Sequence, residues 1–179
     1  PYARAYRVFN TDQIEGLSAE FYILTDPPRD LGTMADPELE AFFAASGAQI
    51  DTTEEPRAYY NIKIDRIHMP PIATFHRAAG YYGTLAHELT HWTKHPKRLD
   101  REFGRKRWGD EGYAREELVA ELGAAFICAD LEIAPEPRAD HAAYIQSWLK
   151  VLQNDKRAIF SAAAHAQRAA DFLHRLQPV

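Results

Sequence analysis

The hydrophobic pattern near the middle of the chain predicts a helix with one apolar stripe. Leu85, Leu89 and Trp92 recur at spacings of four and three residues, the period of an amphipathic helix. The start of this helix is ambiguous, and either Thr84 or a residue of Ala78–Tyr81 could be the first. Its end is better defined, because Pro96 disfavours helical geometry at His95 and so predicts that the helix stops there.

The same helix contains an H-E-x-x-H pattern, His87-Glu88-Leu89-Thr90-His91, whose two histidines project from nearly the opposite side to the apolar stripe. Residues four apart lie one above the other on a helix, so the two histidines can hold one metal ion. Glu88 follows the first histidine, where its carboxylate can take the proton of a water molecule beside the metal. The pattern indicates a zinc hydrolase with one Zn²⁺ per chain, for which Mn²⁺ or Co²⁺ could substitute.

A second helix, predicted over residues 113–131, carries two acids on one face. Glu117 and Glu121 are four residues apart, and small residues such as Ala124 continue the same face and allow close packing. Burying carboxylates there is costly unless a cation meets them, and a metal held by the histidines would supply that cation. Either acid could be the third ligand. Glu116 projects about 100° away and is predicted to face solvent or the helix dipole.

The remaining pattern predicts an α+β domain with a small sheet that precedes the H-E-x-x-H helix. Asp36-Pro37-Glu38 predicts a helix start, because it combines an N-cap, a proline in the first turn and an acid beside the dipole. The predicted elements are an extended entry segment 1–35, a helix Pro37–Ser46, strands Ala48–Thr52, Ala58–Ile62 and Ile64–His68, and two C-terminal helices, Ala139–Leu152 and Asp155–Leu176.

Composition restricts the function classes. The 179 residues are 46% hydrophobic and 26% charged, as in an ordinary globular domain, which we expect to span the whole chain. A net charge of −5 argues against nucleic-acid binding by overall charge. One cysteine, Cys128, excludes an internal disulfide and fits a reducing compartment. No apolar run reaches membrane-spanning length. Because the chain begins at Pro1, we expect a fragment of a longer protein.

Seven basic residues fall within fourteen positions after the H-E-x-x-H helix. They could contact an acidic partner or a phosphate, or they could form a solvated, mobile loop. These residues are Lys94, Lys97, Arg98, Arg101, Arg105, Lys106 and Arg107.

Two further residues are candidates for stabilising the transition state. His141 or Tyr144, on the first predicted C-terminal helix, could reach the cleft and polarise a substrate carbonyl. The sequence does not place either side chain.

The acidic helix resembles that of the gluzincin metallopeptidases, in which H-E-x-x-H is followed by E-x-x-A-[D/E]. Glu117-Leu118-Val119-Ala120-Glu121 matches this second motif. The resemblance implies that Glu117 is the third zinc ligand and that Glu121 accepts a hydrogen bond from a ligating histidine, which would fix its tautomer.

Over nearly the whole chain the sequence also resembles the C-terminal half of ArdC-type antirestriction proteins, which are related to the TraC primases. The resemblance rests on several stretches: Tyr6-Arg7-Val8-Phe9-Asn10, Gln13-Ile14-Glu15-Gly16-Leu17, Asp65-Arg66-Ile67-His68-Met69-Pro70, Tyr81-Tyr82, Arg98-Leu99 and the two motifs above. It implies a zincin-like fold, a bacterial cytoplasmic setting and a role in conjugation or defence against restriction. It also implies an N-terminal domain that binds single-stranded DNA, which we expect to precede the segment present here.

We therefore expect a zinc-dependent, metallopeptidase-like hydrolase whose peptide or protein substrate and oligomeric state the sequence leaves open. The alternative is a metal-stabilised accessory module for DNA protection or single-stranded DNA binding that cleaves no peptide.

Overall fold

The computed structural model describes residues 30–104, 111–134, 148–149, 152–153 and 155–178. The continuous elements in these ranges are α1 (Pro37–Ala45), β1 (Gln49–Thr52), β2 (Tyr59–Asn61), β3 (Arg66–Met69), α2 (Ala78–Trp92), α3 (Glu111–Asp130) and α4 (Ala158–Arg175). This order confirms the α+β class. Most of the predicted entry segment 1–35 and of the predicted helix Ala139–Leu152 lies outside the described residues.

Helix α1 begins as its sequence predicts. The carboxylate of Asp36 accepts hydrogen bonds from the backbone N–H groups of Glu38 and Leu39, with Pro37 in the first turn. The helix ends one residue before the predicted Ser46, and Gly47 follows with a φ of +70°, a conformation that a glycine adopts without steric cost.

The sheet is mixed, with β3 between the other two strands. β1 is parallel to β3, with Ile50 opposite Ile67, and β2 is antiparallel to β3, with Tyr60 opposite the same residue. Ile67 and Met69 are fully buried and belong to the main hydrophobic core together with residues of α2. The sheet therefore supports one face of α2.

The third strand begins at Arg66 rather than at the predicted Ile64. Residues 62–65 form turns, and Asp65 has a φ of +55°, which is incompatible with an extended strand. The first two strands lie within their predicted ranges, each one or two residues shorter.

Helix α2 starts at Ala78, within the predicted range, and ends at Trp92 rather than at His95. Beyond Trp92 the N–H groups of Lys94 and His95 bond to carbonyls three residues earlier, at 3.0 and 3.3 Å, so the chain tightens into turns before Pro96. The helix is buried from Tyr81 to its end apart from a few half-buried positions.

Helix α3 lies between α2 and α4. Ile127 belongs to the core that contains the apolar stripe of α2, whereas Leu118 and Val119 pack with Ala162 and Ala166 of α4 in a second core. Because α3 is covered on both sides, its polar residues can be buried as well as its apolar ones. None of the described helices is long and apolar enough to cross a lipid bilayer.

Candidate metal centre

The structure brings together the three residues predicted as metal ligands. One atom from each of His87, His91 and Glu117 lies within 4.8 Å of the other two, and all three residues are buried. The Nε2 atom of His87 lies 3.6 Å from Oε2 of Glu117, and Nε2 of His91 lies 3.5 Å from its Oε1. Both imidazoles of α2 thus present the same nitrogen to one carboxylate of α3.

These separations are of the size found around one metal ion. Zinc ligands about 2.0–2.2 Å from a tetrahedral ion lie ~3.3–3.6 Å from one another, and the two histidines lie at 3.6 and 3.5 Å from the two different oxygens of Glu117. The imidazole planes of His87 and His91 are inclined at 85°, with ring centroids 4.8 Å apart. Two imidazole nitrogens and one carboxylate oxygen also suit a first-row divalent metal, so these residues could hold such an ion. Their role as ligands stays a prediction.

The remaining nitrogen of His87 faces a second acid on α3. Its Nδ1 atom lies 3.1 Å from Oε1 of Glu121, one turn beyond Glu117. An ionised carboxylate can only accept, so this contact favours the tautomer with hydrogen on Nδ1 and leaves the lone pair of Nε2 for a metal. The two atoms lie at ion-pair distance, and the hydrogen bond that the gluzincin resemblance implies between them stays a prediction.

His91 has a similar partner that the sequence interpretation missed. Its Nδ1 atom lies 2.9 Å from Oε1 of Glu116, which is 6% exposed. The prediction that Glu116 faces solvent is therefore wrong. The reason is that α3 is covered by both α2 and α4, so a side chain that leaves the Glu117 face still points into the protein. The apolar run of residues 118–120, which directly follows Glu117, was the signal for this burial.

A buried arginine compensates the charge of Glu116. The guanidinium of Arg101 donates from Nε to Oε2 of Glu116 at 2.8 Å and from Nη2 to Oε1 at 2.9 Å. Its side chain is 1% exposed, so Arg101 is available neither to an acidic partner nor as part of a solvated loop. The sequence interpretation assigned it to a basic surface because a run of positive charge does not reveal a buried acid nearby.

The buried charges shift one another's pKa values. Burial favours protonation of Glu117, but the imidazoles of His91 and His87 outweigh burial and hold the pKa of this carboxyl far below its usual range. Burial likewise opposes ionisation of Glu116, but Arg101 and His91 lower its pKa to about 2. Burial lowers the pKa of His91, whereas Glu117 and Glu116 together raise it above the usual value. The carboxylates of Glu116 and Glu117 are thus held in their ionised form, and that of Glu117 could bind a cation.

Glu88, the predicted general base, lies on α2 directly after His87 and is 5% exposed. Within the part of the chain that the structure describes, its carboxylate has no ion pair or hydrogen bond. A buried carboxylate without a fixed partner remains free to exchange a proton with a bound molecule.

The other basic residues fall into three groups. Arg98 stacks 3.8 Å above the ring of Trp92 and donates two hydrogen bonds to Asp65, so it fastens the loop to the β2–β3 turn. Lys94 is half-buried and 3.7 Å from Glu116, while Lys97 is exposed. Residues Arg105, Lys106 and Arg107 lie outside the described ranges, as do His141 and Tyr144, whose proposed role at the transition state stays a prediction.

Comparison with known proteins identifies the family. Residues 37–165 match the family described as zincin-like metallopeptidase. Two curated relatives are DNA primase TraC of Escherichia coli, 43% identical over 93% of this chain and 15% of its own length, and the uncharacterized protein y4eC of Sinorhizobium fredii, 40% identical over 98% and 55%. The chain therefore spans only part of these proteins.

Two solved structures of the antirestriction protein ArdC from plasmid R388 are also similar. The Mn(II)-bound structure matches with a TM-score of 0.75 and 56% sequence identity. The match covers 99% of this chain and 63% of the ArdC chain. The metal-free structure matches with a TM-score of 0.73 and 58% sequence identity, over 99% of this chain and 62% of the ArdC chain. The chain belongs to the zincin-like metallopeptidase family.

Proposed function

We propose that this domain is a divalent-metal-dependent hydrolase that cleaves peptide bonds. The observation that carries the proposal is the orientation of the two histidines. Each presents Nε2 to Glu117 and keeps Nδ1 against a different carboxylate, Glu121 or Glu116. Three protein ligands leave one position open, which distinguishes a catalytic site from a closed structural one.

In this proposal His87, His91 and Glu117 hold the metal and Glu88 moves the proton. A divalent cation at such a site acts as a Lewis acid and lowers the pKa of water. Glu88 accepts the proton of the water that attacks the substrate carbonyl and then passes it to the leaving amine. His141 or Tyr144 is our proposed donor to the oxyanion.

We propose Zn²⁺ as the metal, with Mn²⁺ or Co²⁺ as substitutes. Two imidazoles and one carboxylate in a zincin fold are a zinc donor set, although affinity alone does not select zinc over its neighbours. The solved ArdC structure is named as Mn(II)-bound, so manganese is the alternative that a binding experiment must compare directly.

The setting we propose is a bacterial antirestriction or conjugation protein in the cytoplasm, with single-stranded DNA bound by a region outside this chain. The names of the relatives support it, and they also motivate a second candidate, since they describe an antirestriction protein and a primase rather than a peptidase. In the second candidate the metal only stabilises a module that protects or binds DNA.

The two candidate functions predict different effects of replacing Glu88. We would load the purified domain with Zn²⁺ or Mn²⁺, measure bound metal by elemental analysis, and follow cleavage of casein as a generic unfolded substrate. The hydrolase proposal expects about one metal per chain in wild type and in Glu88→Gln, with cleavage only in wild type.

Metal binding without cleavage in either protein would favour the accessory module, provided that a library of short peptides is also left intact. A domain that binds neither metal would contradict both candidates.

A further inference from the structure

We infer that Arg101 is a positioning residue for the metal centre. It fixes the carboxylate of Glu116, which in turn holds the His91 imidazole with Nε2 toward Glu117. The inference rests on the proposed metal site and adds to it a residue of the loop that follows α2.

The contact between Arg101 and Glu116 fixes both carboxylate oxygens. Arg101 donates from Nε to one oxygen at 2.8 Å and from Nη2 to the other at 2.9 Å. Such a fork allows one orientation of the carboxylate, whereas a single bond would let it rotate. The oxygen that Nη2 contacts, Oε1, is also the one that lies 2.9 Å from Nδ1 of His91.

The other side of the same guanidinium is attached to α2. Nη2 donates to the backbone carbonyl of Thr90 at 2.9 Å, and Nη1 donates to Oγ1 of Thr93 at 3.1 Å. Both threonines are fully buried and flank His91 along the chain. Arg101 therefore connects Glu116 of α3 to the segment of α2 that carries His91, and so fixes their relative position.

The alternatives to Arg101 in the structure are poor. Among the residues that the structure describes, Lys94 is the other basic side chain paired with Glu116, and its Nζ atom lies 3.7 Å from Oε1, beyond hydrogen-bonding distance. An ammonium is a point charge that cannot hold two oxygens in one plane. Without Arg101 the buried carboxylate loses the group that orients it, so the imidazole of His91 loses a fixed partner.

Arg98 provides a matched control in the same loop. It too is largely buried and ion-paired, but it makes no contact with Glu116. Its partners are Asp65, the hydroxyl of Tyr60, and the ring and backbone carbonyl of Trp92. Replacing either arginine by methionine removes a charge and keeps the apolar stem. Only the Arg101 change should reach the metal ligands.

The test measures the dissociation constants of Zn²⁺ and Mn²⁺ by competition with a chelating indicator. Removing a partner of a ligating histidine typically costs about 10- to 100-fold in metal affinity. We expect a loss of this size in Arg101→Met, a smaller loss in Arg101→Lys, and a change below about threefold in Arg98→Met. The visible absorption of the Co²⁺-loaded proteins should change in the Arg101 variants alone, because it reports the ligand geometry.

A double-mutant cycle completes the test. If Arg101 acts through Glu116, adding Arg101→Met to Glu116→Gln should weaken metal binding little beyond Glu116→Gln itself. This double variant also lacks the lone buried charge, so it can be measured if Arg101→Met alone does not fold, as judged by circular dichroism.

Wild-type affinity and an unchanged Co²⁺ spectrum in folded Arg101→Met would overturn the inference, as would fully additive losses in the cycle. Either result leaves the proposed metal site standing, because wild type still binds. If wild type bound no metal, the proposed function itself would fail and the inference with it.

Discussion

Gly123 of α3 lies against the side chain of Thr90 of α2, the fourth residue of the H-E-x-x-H sequence. A Cβ atom added at position 123 would lie 2.5 Å from Cγ2 and 2.7 Å from Oγ1 of Thr90. Thr90 is fully buried, and its hydroxyl is held by the carbonyl of Ala86 at 2.8 Å. Glycine therefore sets the distance between the two helices that carry the proposed ligands.

We expect Gly123→Ala to destabilise the domain by about 1–3 kcal/mol, because a close-packed interior accommodates an added methyl only by moving the helices apart. Gly83→Ala is the control. Position 83 lies in the middle of α2, and a Cβ there would lie 3.9 Å from Sγ of Cys128, an ordinary contact. The helix propensity of alanine should then stabilise Gly83→Ala by about 0.5–1 kcal/mol.

Urea denaturation of both variants measures these changes. A stable Gly123→Ala protein with unchanged metal affinity would show that the helices are not held at this distance.

Replacing Glu117 and Glu121 of α3 by alanine, one at a time, tests which of the two is the third metal ligand. Glu117 lies beside Nε2 of both histidines, whereas Glu121 lies beside Nδ1 of His87 alone. We expect Glu117→Ala to abolish stoichiometric metal binding and Glu121→Ala to weaken it about 10- to 100-fold. Elemental analysis after gel filtration separates the two results. The reverse pattern would assign the ligand to Glu121.

The pair of Asp65 and Arg98 should give the domain a stability that depends on acid pH. Hydrogen bonds from Arg98 lower the pKa of Asp65 from 3.8 to about 2. Between these values the unfolded chain binds more protons than the folded one, so the stabilisation is complete above pH ~4 and is lost as the pH falls toward 2. Asp65→Asn should show a shallower loss of stability over this range, measured by urea denaturation of the metal-free protein.

Asparagine is the suitable replacement because Asp65 has a φ of +55°, which asparagine tolerates better than most residues. The control is Asp51→Asn. Asp51 pairs with Arg66 at 2.6 Å, but both side chains are nearly half exposed, and such pairs contribute little. Parallel pH curves for wild type and Asp65→Asn would contradict the prediction.

The hydroxyl of Tyr82 connects α2 to the start of α1. It accepts a hydrogen bond from the backbone N–H of Asp36 at 2.9 Å and donates to Oε1 of Glu40 at 2.8 Å. Tyr82→Phe leaves this N–H without its acceptor and should cost about 1–3 kcal/mol in unfolding free energy. Thermal denaturation of wild type, Tyr82→Phe and Tyr59→Phe measures this cost. Tyr59→Phe is the control, because Tyr59 is 40% exposed and its mutation should leave the melting temperature nearly unchanged. Equal melting temperatures would contradict the prediction.

Periodic and capped segments of the fold were predictable from the sequence. The N-cap at Asp36 and the glycine at position 47 bound α1 to within one residue, and α2 was recognised from the spacing of its leucines. The ends of elements that depend on turn geometry were not predictable from the sequence. The β3 start and the α2 end depend on a positive φ at Asp65 and on short-range bonds after Trp92, which residue periodicity does not report.

The site shows the same division. His87 and His91 could be placed together because they lie four residues apart on one helix, and Glu117 was assigned beside them because its motif resembles that of the gluzincin metallopeptidases. Glu116 and Arg101 could not, since their pairing joins a loop to a different helix across fifteen residues of sequence. A run of basic residues in the sequence does not distinguish a buried arginine from a solvent-exposed one.

The three predicted ligands all lie on α2 and α3, while α4 packs on the other side of α3. A bound cation would therefore hold together the interface of α3 with α2, whereas the interface of α3 with α4 is held by apolar packing and by the contact of His174 with Asp130 at 3.0 Å. An ion at a hundred times its dissociation constant adds about 2.7 kcal/mol to the folded state. We therefore expect the metal-loaded domain to resist proteolysis longer than the metal-free one.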